Sequence, residues 1–193
     1  MTHSQNVGPV KTPGRGSSAL RRNLLGFAAA ALVAAVVGGG YWAVACPCGG
    51  IPGFVLRGEV HREPVQDWRF ANDVSLCQIQ INAGRLPHSV NLNCMATPTG
   101  DLFLSCSAGT RKYWCQHVGA DHPGRLRLNG TVYPVVLNRV TDPATLDAAW
   151  AARVEKLQNP EVQALQPPGA TPTPDAKRPE TWWSFQVRSR ASS

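Results

Sequence analysis

Between Arg22 and Arg57 the chain carries no charged side chain, and within that gap Leu24 to Cys46 (LLGFAAAALVAAVVGGGYWAVAC) is apolar apart from glycines and Tyr41. A hydrocarbon core of roughly 30 Å is crossed by about 20 helical residues, because every backbone polar group must be satisfied internally there. The run meets that length, and Tyr41 with Trp42 stands where an interfacial aromatic anchor belongs. Lys11, Arg15, Arg21 and Arg22 precede it with no acid among them, so more than half of the net +7 charge lies in this leading segment. A positive flank stays in the cytoplasm and places everything after Cys48 on the far side. Residues 1–23 are therefore read as a basic cytoplasmic segment, 24–46 as a transmembrane anchor or signal segment, and 49–190 as the folded domain.

Three fates of the apolar run are open at this stage. An uncleaved anchor fits its length, since a signal-peptide apolar region is usually about 7 to 15 residues. Arg21-Arg22-Asn23-Leu24-Leu25 resembles the twin-arginine export signal. Ala43-Val44-Ala45 fits a small-residue cleavage site, and Cys46 after it gives a bacterial lipobox with Ala43 where leucine is usual, which allows lipidation of Cys46.

Charged residues make up only 16% of the 193-residue chain and hydrophobic ones 43%, which excludes wholesale disorder and points to one globular domain. No block of Lys and Arg offers a nucleic-acid arm. Six cysteines are present. Cys46-Pro47-Cys48 is too closely spaced for a zinc knuckle, and Cys77, Cys94, Cys106 and Cys115 show no metal-ligand spacing. In an exported domain they are read as one or two disulfides or as small buried hydrophobes, with the pairing open. His61, His88, His117 and His122 stand at no paired ligand spacing and are read as surface or turn residues.

Alternation of apolar and polar residues predicts strands over Phe54–His61, Val74–Ile81, Ser89–Ala96, Leu102–Cys106, Arg125–Leu128, Thr131–Val140 and Trp182–Arg190. Pro98-Thr99-Gly100-Asp101 is a turn, and Asn129-Gly130 is the strongest hairpin signal in the chain. Two helices interrupt the pattern. Lys112–Val118 makes a short one. The other starts at Thr141-Asp142-Pro143, an N-cap followed by proline at its permitted place, and runs to about Leu157. Its stripe of Leu146, Ala149, Trp150, Arg153, Val154 and Leu157 faces the strands. Residues 159–179 hold a run of prolines and read as a loop or flexible excursion. The fold class is mainly β: an antiparallel barrel of about six strands with two helices, behind the N-terminal helix.

The segment from Asp101 carries the chemistry. A strand ends in Ser105, Ser107 and Gly109, and Arg111 and Lys112 then open a short helix bearing Trp114. Hydroxyls, free N–H groups and two cations converge as they would on a phosphate, and an ordinary polar turn with solvated cations matches the pattern equally.

This order of elements resembles the flavin and deazaflavin-binding split β-barrels, which include the pyridoxamine phosphate oxidase-like proteins and the deazaflavin-dependent nitroreductases. The resemblance rests on Ser105, Ser107 and Gly109, then Trp114, Asp121-His122-Pro123, Asn129-Gly130 and Asp142-Pro143, in that sequence. Gly84-Arg85 resembles the start of the deazaflavin branch's Gly-Arg turn, with Pro87 and His88 where a second glycine would follow. The resemblance implies FMN, with F420 as the alternative. It implies phosphate contacts from Ser105, Ser107, Arg111 and Lys112, and a ring over Ser89 to Asn93 within reach of Ser89 and Asn91, with Trp114 nearby. It further implies a homodimer and a membrane-tethered, extracytoplasmic oxidoreductase whose redox chemistry belongs to the cofactor. A non-catalytic barrel serving as a binding or assembly module of the bacterial envelope is the competing expectation.

Overall fold

The computed structural model describes residues 16–107 and 109–190. They fall into two compact units, one ending at Tyr41 and one beginning at Trp42. Helix α1 (Gly16–Ala45) accounts for the first, and within it Leu20–Ala43, 24 residues, is long and apolar enough to cross a membrane. It is hydrophobic on all sides, the pattern of a helix surrounded by hydrocarbon or protein interior rather than water.

The second unit is one sheet. Its strands are β1 (Glu59–Val60), β2 (Cys77–Ala83), β3 (Leu86–Leu92), β4 (Cys94–Ala96), β5 (Leu102–Cys106), β6 (His122–Leu128), β7 (Thr131–Arg139) and β8 (Trp183–Ser189). They lie in the order β3-β2-β6-β7-β8-β5-β4, all antiparallel, with β1 added in parallel to β7. The two ends of that order are consecutive in the chain, separated only by Asn93. One stretch therefore pairs with β2 through Leu86–Leu92 and with β5 through Cys94–Ala96, which curls the sheet into an antiparallel split barrel. Single 3₁₀ turns, Arg69–Asp73 and Gly109–Arg111, and helices α2 (Tyr113–Gln116), α3 (Pro143–Leu157) and α4 (Pro160–Gln163) complete the unit.

Alternation decides what is inside. Cys77, Ile79 and Ile81 of β2 meet Leu102, Leu104 and Cys106 of β5 and Phe185 and Val187 of β8 in the main core. On the other face of β4 and β5, Met95 and Phe103 pack with Ala149 and Ala152 of α3. Two disulfides knit the barrel, Cys77–Cys94 between β2 and β4 and Cys106–Cys115 between β5 and α2, and a third closes Cys46–Cys48. The Asn129-Gly130 hairpin forms as expected, both residues at positive φ, 46° and 86°. Asp142 caps α3, its carboxylate accepting from the Thr145 backbone N–H at 2.8 Å.

Several boundaries depart from the sequence reading for local reasons. The strand predicted over Phe54–His61 shrinks to Glu59–Val60, because the preceding backbone bonds to side chains: Leu56 N–H donates to Gln80 Oε1 and Arg57 C=O accepts from Arg127. Gly58 then passes so close to the Gly130 carbonyl that a Cβ would sit 2.1 Å from its oxygen. β6 begins at His122 rather than Arg125, since the turn is confined to Asp121, at φ 45°, whose N–H donates to Asn138 Oδ1. Pro123 is tolerated there because pairing with β2 starts only at Gly124. Gly84-Arg85 is the two-residue tip of the β2–β3 hairpin, with Gly84 at φ 68°. The proline-rich stretch contains α4, and it is tied to α3: Trp150 Nε1–H donates to Ala176 C=O, Gln158 to Pro172 C=O, and Arg178 pairs with Asp147 at 3.0 Å.

Candidate functional site

Two places gather the polar residues singled out by sequence, and they lie on different strands. On the outward face of β2, β3 and β6, Asn91, Gln78 and Arg127 stand in register as one row, and Ser89, Gln80 and Arg125 as the next. Gln78 Nε2 donates to Asn91 Oδ1 at 2.9 Å, and Arg127 Nε donates to Gln78 Oε1. The remaining capacity of these amides goes to the chain that enters the barrel. Asn91 Nδ2 donates to Gly49 C=O at 2.9 Å and Pro47 C=O at 3.4 Å. Gly53 and Ser89 exchange both backbone bonds, at 2.8 and 3.1 Å, and the Ser89 side chain is wholly buried with its Oγ unpartnered. The face on which the resemblance places the ring is thus covered by residues 47–57. The Cys46–Cys48 bridge lies at the start of this cover.

The second place is the far end of β5. Ser105 is half-buried and its Oγ–H points to Met95 Sδ at 3.7 Å; Ser107 is exposed. Helix α2 is a single turn, without a side-chain cap at Lys112, so no extended row of helical N–H groups points at a ligand. Arg111 and Lys112 are both exposed, and among the described residues neither forms an ion pair. Trp114 belongs to the core, 5% exposed and 5.1 Å from the Phe185 ring. What the sequence reading passed over is Arg153 of α3, placed in the apolar stripe as though it were a hydrophobe. Its guanidinium lies over Trp182, 4.4 Å from the ring centroid, and burial pushes its pKa down to about 10. Although Lys112 is exposed as a residue, partial desolvation of its ammonium lowers its pKa, and Arg153 lowers it further. The signal was visible: a cation at a stripe position either reaches an acceptor or waits for one.

Lys156, three residues on, shows the contrast. It is equally buried, yet its Nζ donates to the carbonyls of Ala71, Val74 and Cys94 at 2.8, 2.6 and 2.7 Å, binding α3 to the 3₁₀ turn and β4. That lysine's hydrogen bonds are taken up within the fold. Elsewhere, a shallow pocket of about 320 Å³ opens between Val60, Gln80, Arg125, Pro134 and Arg190, and none of the sequence-nominated residues lines it. Among the described residues no group of three His, Cys, Asp or Glu side chains is placed to hold a metal ion.

Fold and sites together define a split barrel with a polar face closed by its own entering chain, behind an apolar N-terminal helix. No family model and no curated protein matches the chain. Among solved structures it is similar to a NimC/NimA family protein from Clostridium acetobutylicum, at 12% identity and a TM-score of 0.41, covering 62% of this chain and 74% of that one. It is also similar to a protein of unknown function from Agrobacterium tumefaciens, at 15% identity and a TM-score of 0.41, spanning 63% of this chain and about half of that one (52%).

Proposed function

We propose that the protein is a ligand-binding barrel without redox chemistry of its own, displayed on the far side of a membrane by its N-terminal helix. The observation that carries this reading is the cover over β3. Asn91, which the resemblance places within reach of a flavin ring, and its neighbours Gln78 and Gln80 spend their hydrogen bonds on Pro47, Gly49 and Leu56. A ring entering there would have to displace that segment and unpair those amides, at about 0.5–1.5 kcal/mol for each net hydrogen bond. The three disulfides support an oxidising location, and a positive N-terminal flank with an apolar helix supports the orientation.

The test is an absorption spectrum of the full-length protein purified in detergent, followed by titration with FMN and F420. A colourless protein that takes up neither is expected. Stoichiometric flavin, or micromolar affinity for either cofactor, would overturn the reading. It would reinstate a membrane-tethered flavin oxidoreductase, with FMN or F420 held by Ser105, Ser107, Arg111 and Lys112 and the ring shared by the two copies of a homodimer. That second reading keeps one observation in its favour, the cations Arg111 and Lys112 after β5, which form no ion pair among the described residues.

A further inference from the structure

The pocket beside Arg125 and Arg190 lies away from the end of β5, and its walls follow from the register of the sheet. Gln80 of β2 stands opposite Arg125 of β6, and Arg125 opposite Pro134 of β7. Just beyond β8, the Arg190 N–H donates to the Pro134 C=O at 2.9 Å. Residues directly opposite one another share a face, so these four form one outward row across neighbouring strands about 4.8 Å apart. β6 pairs with β7 over Thr131–Leu137 along one edge; β1 at Thr131 and Val132 and β8 from Val135 onward therefore share the other edge. Pro134 lies where one gives way to the other. Proline has no N–H to return to Arg190, so the ladder lapses there, and the pocket of about 320 Å³ opens over the gap.

The walls are cationic at two points and apolar between them. Arg125 and Arg190 both line the pocket and no Asp or Glu does. Neither guanidinium forms an ion pair or a side-chain hydrogen bond with another described residue. Arg188, two residues before Arg190, shows the contrast: Asp121 meets it at 2.8 Å. Gln80 gives its Oε1 to the Leu56 N–H at 2.8 Å, which leaves its NH₂ group as a further donor. Val60, 40% exposed, joins Pro123 and Pro134 as side chains that neither donate nor accept. We infer that this pocket binds a short dicarboxylate, one carboxylate on each arginine and the hydrocarbon link over Pro134. Two planar carboxylates match two guanidinium forks by bidentate pairing, and their two charges match the two cations. Arg125 and Arg190 stand two strands apart, about 10 Å between backbones, which a diacid of about five carbons spans with a hydrogen bond of about 2.8 Å at each end. A monocarboxylate leaves one guanidinium unpaired, and a compact inorganic anion leaves the apolar floor open to water. The inference rests on the reading of the domain as a ligand-binding barrel and names the class of its ligand.

The experiment is calorimetric titration of the full-length protein in detergent with glutarate, and with butyrate and inorganic phosphate as comparisons. Saturable binding of glutarate is expected, at least about tenfold tighter than either comparison. Arg125→Gln and Arg190→Gln should each weaken it by at least about tenfold, with Arg125→Lys and Arg190→Lys falling between because lysine keeps the charge and loses the fork. Absence of saturable glutarate binding overturns the inference, as does butyrate or phosphate binding equally tightly. Should Arg125→Gln fail to fold, Arg190, exposed at the end of the sheet, decides. Unchanged glutarate affinity in Arg190→Gln overturns the inference. Flavin bound to the purified protein would defeat the proposed function, whereas glutarate affinity and its loss in the arginine variants are read independently of any flavin spectrum.

Discussion

Gln78 and Asn91 face each other across β2 and β3, amide to amide at 2.9 Å, and through that pair the barrel grips the chain that enters it. Asn91 passes the contact on to Gly49 C=O, and Arg127 on the next strand completes the row by reaching Arg57 C=O at 2.8 Å. Asn91→Leu removes the donor from Pro47 and Gly49 and the acceptor from Gln78. The expected loss is about 1–3 kcal/mol, expressed locally. Hydrogen exchange at the Gly53 and Leu56 amides should accelerate while the β6–β7 amides keep their protection. Unchanged exchange at Gly53 would show that backbone pairing with Ser89 suffices to hold the cover.

The Lys156 clamp carries a pH signature. Burial lowers its pKa from 10.5 to about 8, partly opposed by Asp73. Between those two pH values the unfolded chain binds more protons than the folded one, so this group's contribution to stability is least favourable below about pH 8 and improves as pH rises toward 10.5. Lys156→Met lacks that component and strands three carbonyls, so it should be less stable at pH 7 by about 2–5 kcal/mol. The gap in Tm between the two proteins should widen from pH 8 to pH 10. All six cysteines are paired, so no free thiol complicates the alkaline end. A gap constant across that range would mean that Lys156 titrates normally.

How much of this was legible beforehand follows from what alternation records. Period-two patterning reports which face of a strand is apolar, and it located seven strands and the Asn129-Gly130 turn because those depend on neighbours in sequence. It cannot report that one stretch changes partner at Asn93, because closure of the barrel is a relation between β3 and β4 and strands far away in sequence. Nor does it see that Trp68 is core, brought in by a 3₁₀ turn whose Asn72 makes two bonds to the Ala96 backbone. At the candidate site, Ser105, Ser107, Arg111 and Lys112 stand out as candidates because polar residues after a strand are conspicuous. Arg153 was hidden by its own position, counted with the hydrophobes of a helix stripe, and the covering of Asn91 was hidden because Pro47 and Gly49 look like a linker.

His88 and His117 flank Tyr113, whose ring lies 5.1 Å from His88 and 4.2 Å from His117, and His122 feels the charge of His117. Burial first, then His117, lowers the pKa of His88; burial likewise leads at His122, with Asn82 opposing and His117 adding a smaller depression. The folded state therefore holds both neutral where the unfolded chain has begun to protonate. Stability from this cluster is present above the ordinary value of 6.5 and is lost as pH falls below it. Tm measured between pH 7.5 and 5 should drop more steeply in the native protein than in the His88→Gln, His122→Gln double variant. Parallel curves would refute the assignment.

The three disulfides should rank by the length of chain they close. With separations of 17, 9 and 2 residues, the chain-entropy relation gives about 3 kcal/mol for Cys77–Cys94, somewhat less for Cys106–Cys115, and about 1.5 kcal/mol for Cys46–Cys48. Paired Cys→Ala variants unfolded in urea should fall in that order. The core position of Cys77 and Cys94, both wholly buried, adds a cavity term to the first. Equal losses from the first and third pairs would show that Cys46–Cys48 does more than close a short loop.

The export route follows from the same bonds. Disulfides persist in oxidising compartments, so on the proposed orientation a domain with three of them would reach its final form after leaving the cytoplasm. A chain that folds on the far side gains nothing from crossing already folded, which is what a twin-arginine signal provides. On that proposal Arg21 and Arg22 would act through charge, as part of a positive flank that keeps the N-terminus in the cytoplasm. Replacing both with lysine preserves that charge while removing the arginine pair. The Lys-Lys variant should still place its barrel outside, cleaved by protease in spheroplasts as readily as the native chain, with all six cysteines protected from alkylation until a reductant is added. Retention of the variant in the cytoplasm would instead identify Arg21-Arg22 as a transport signal and imply that the barrel crosses the membrane folded.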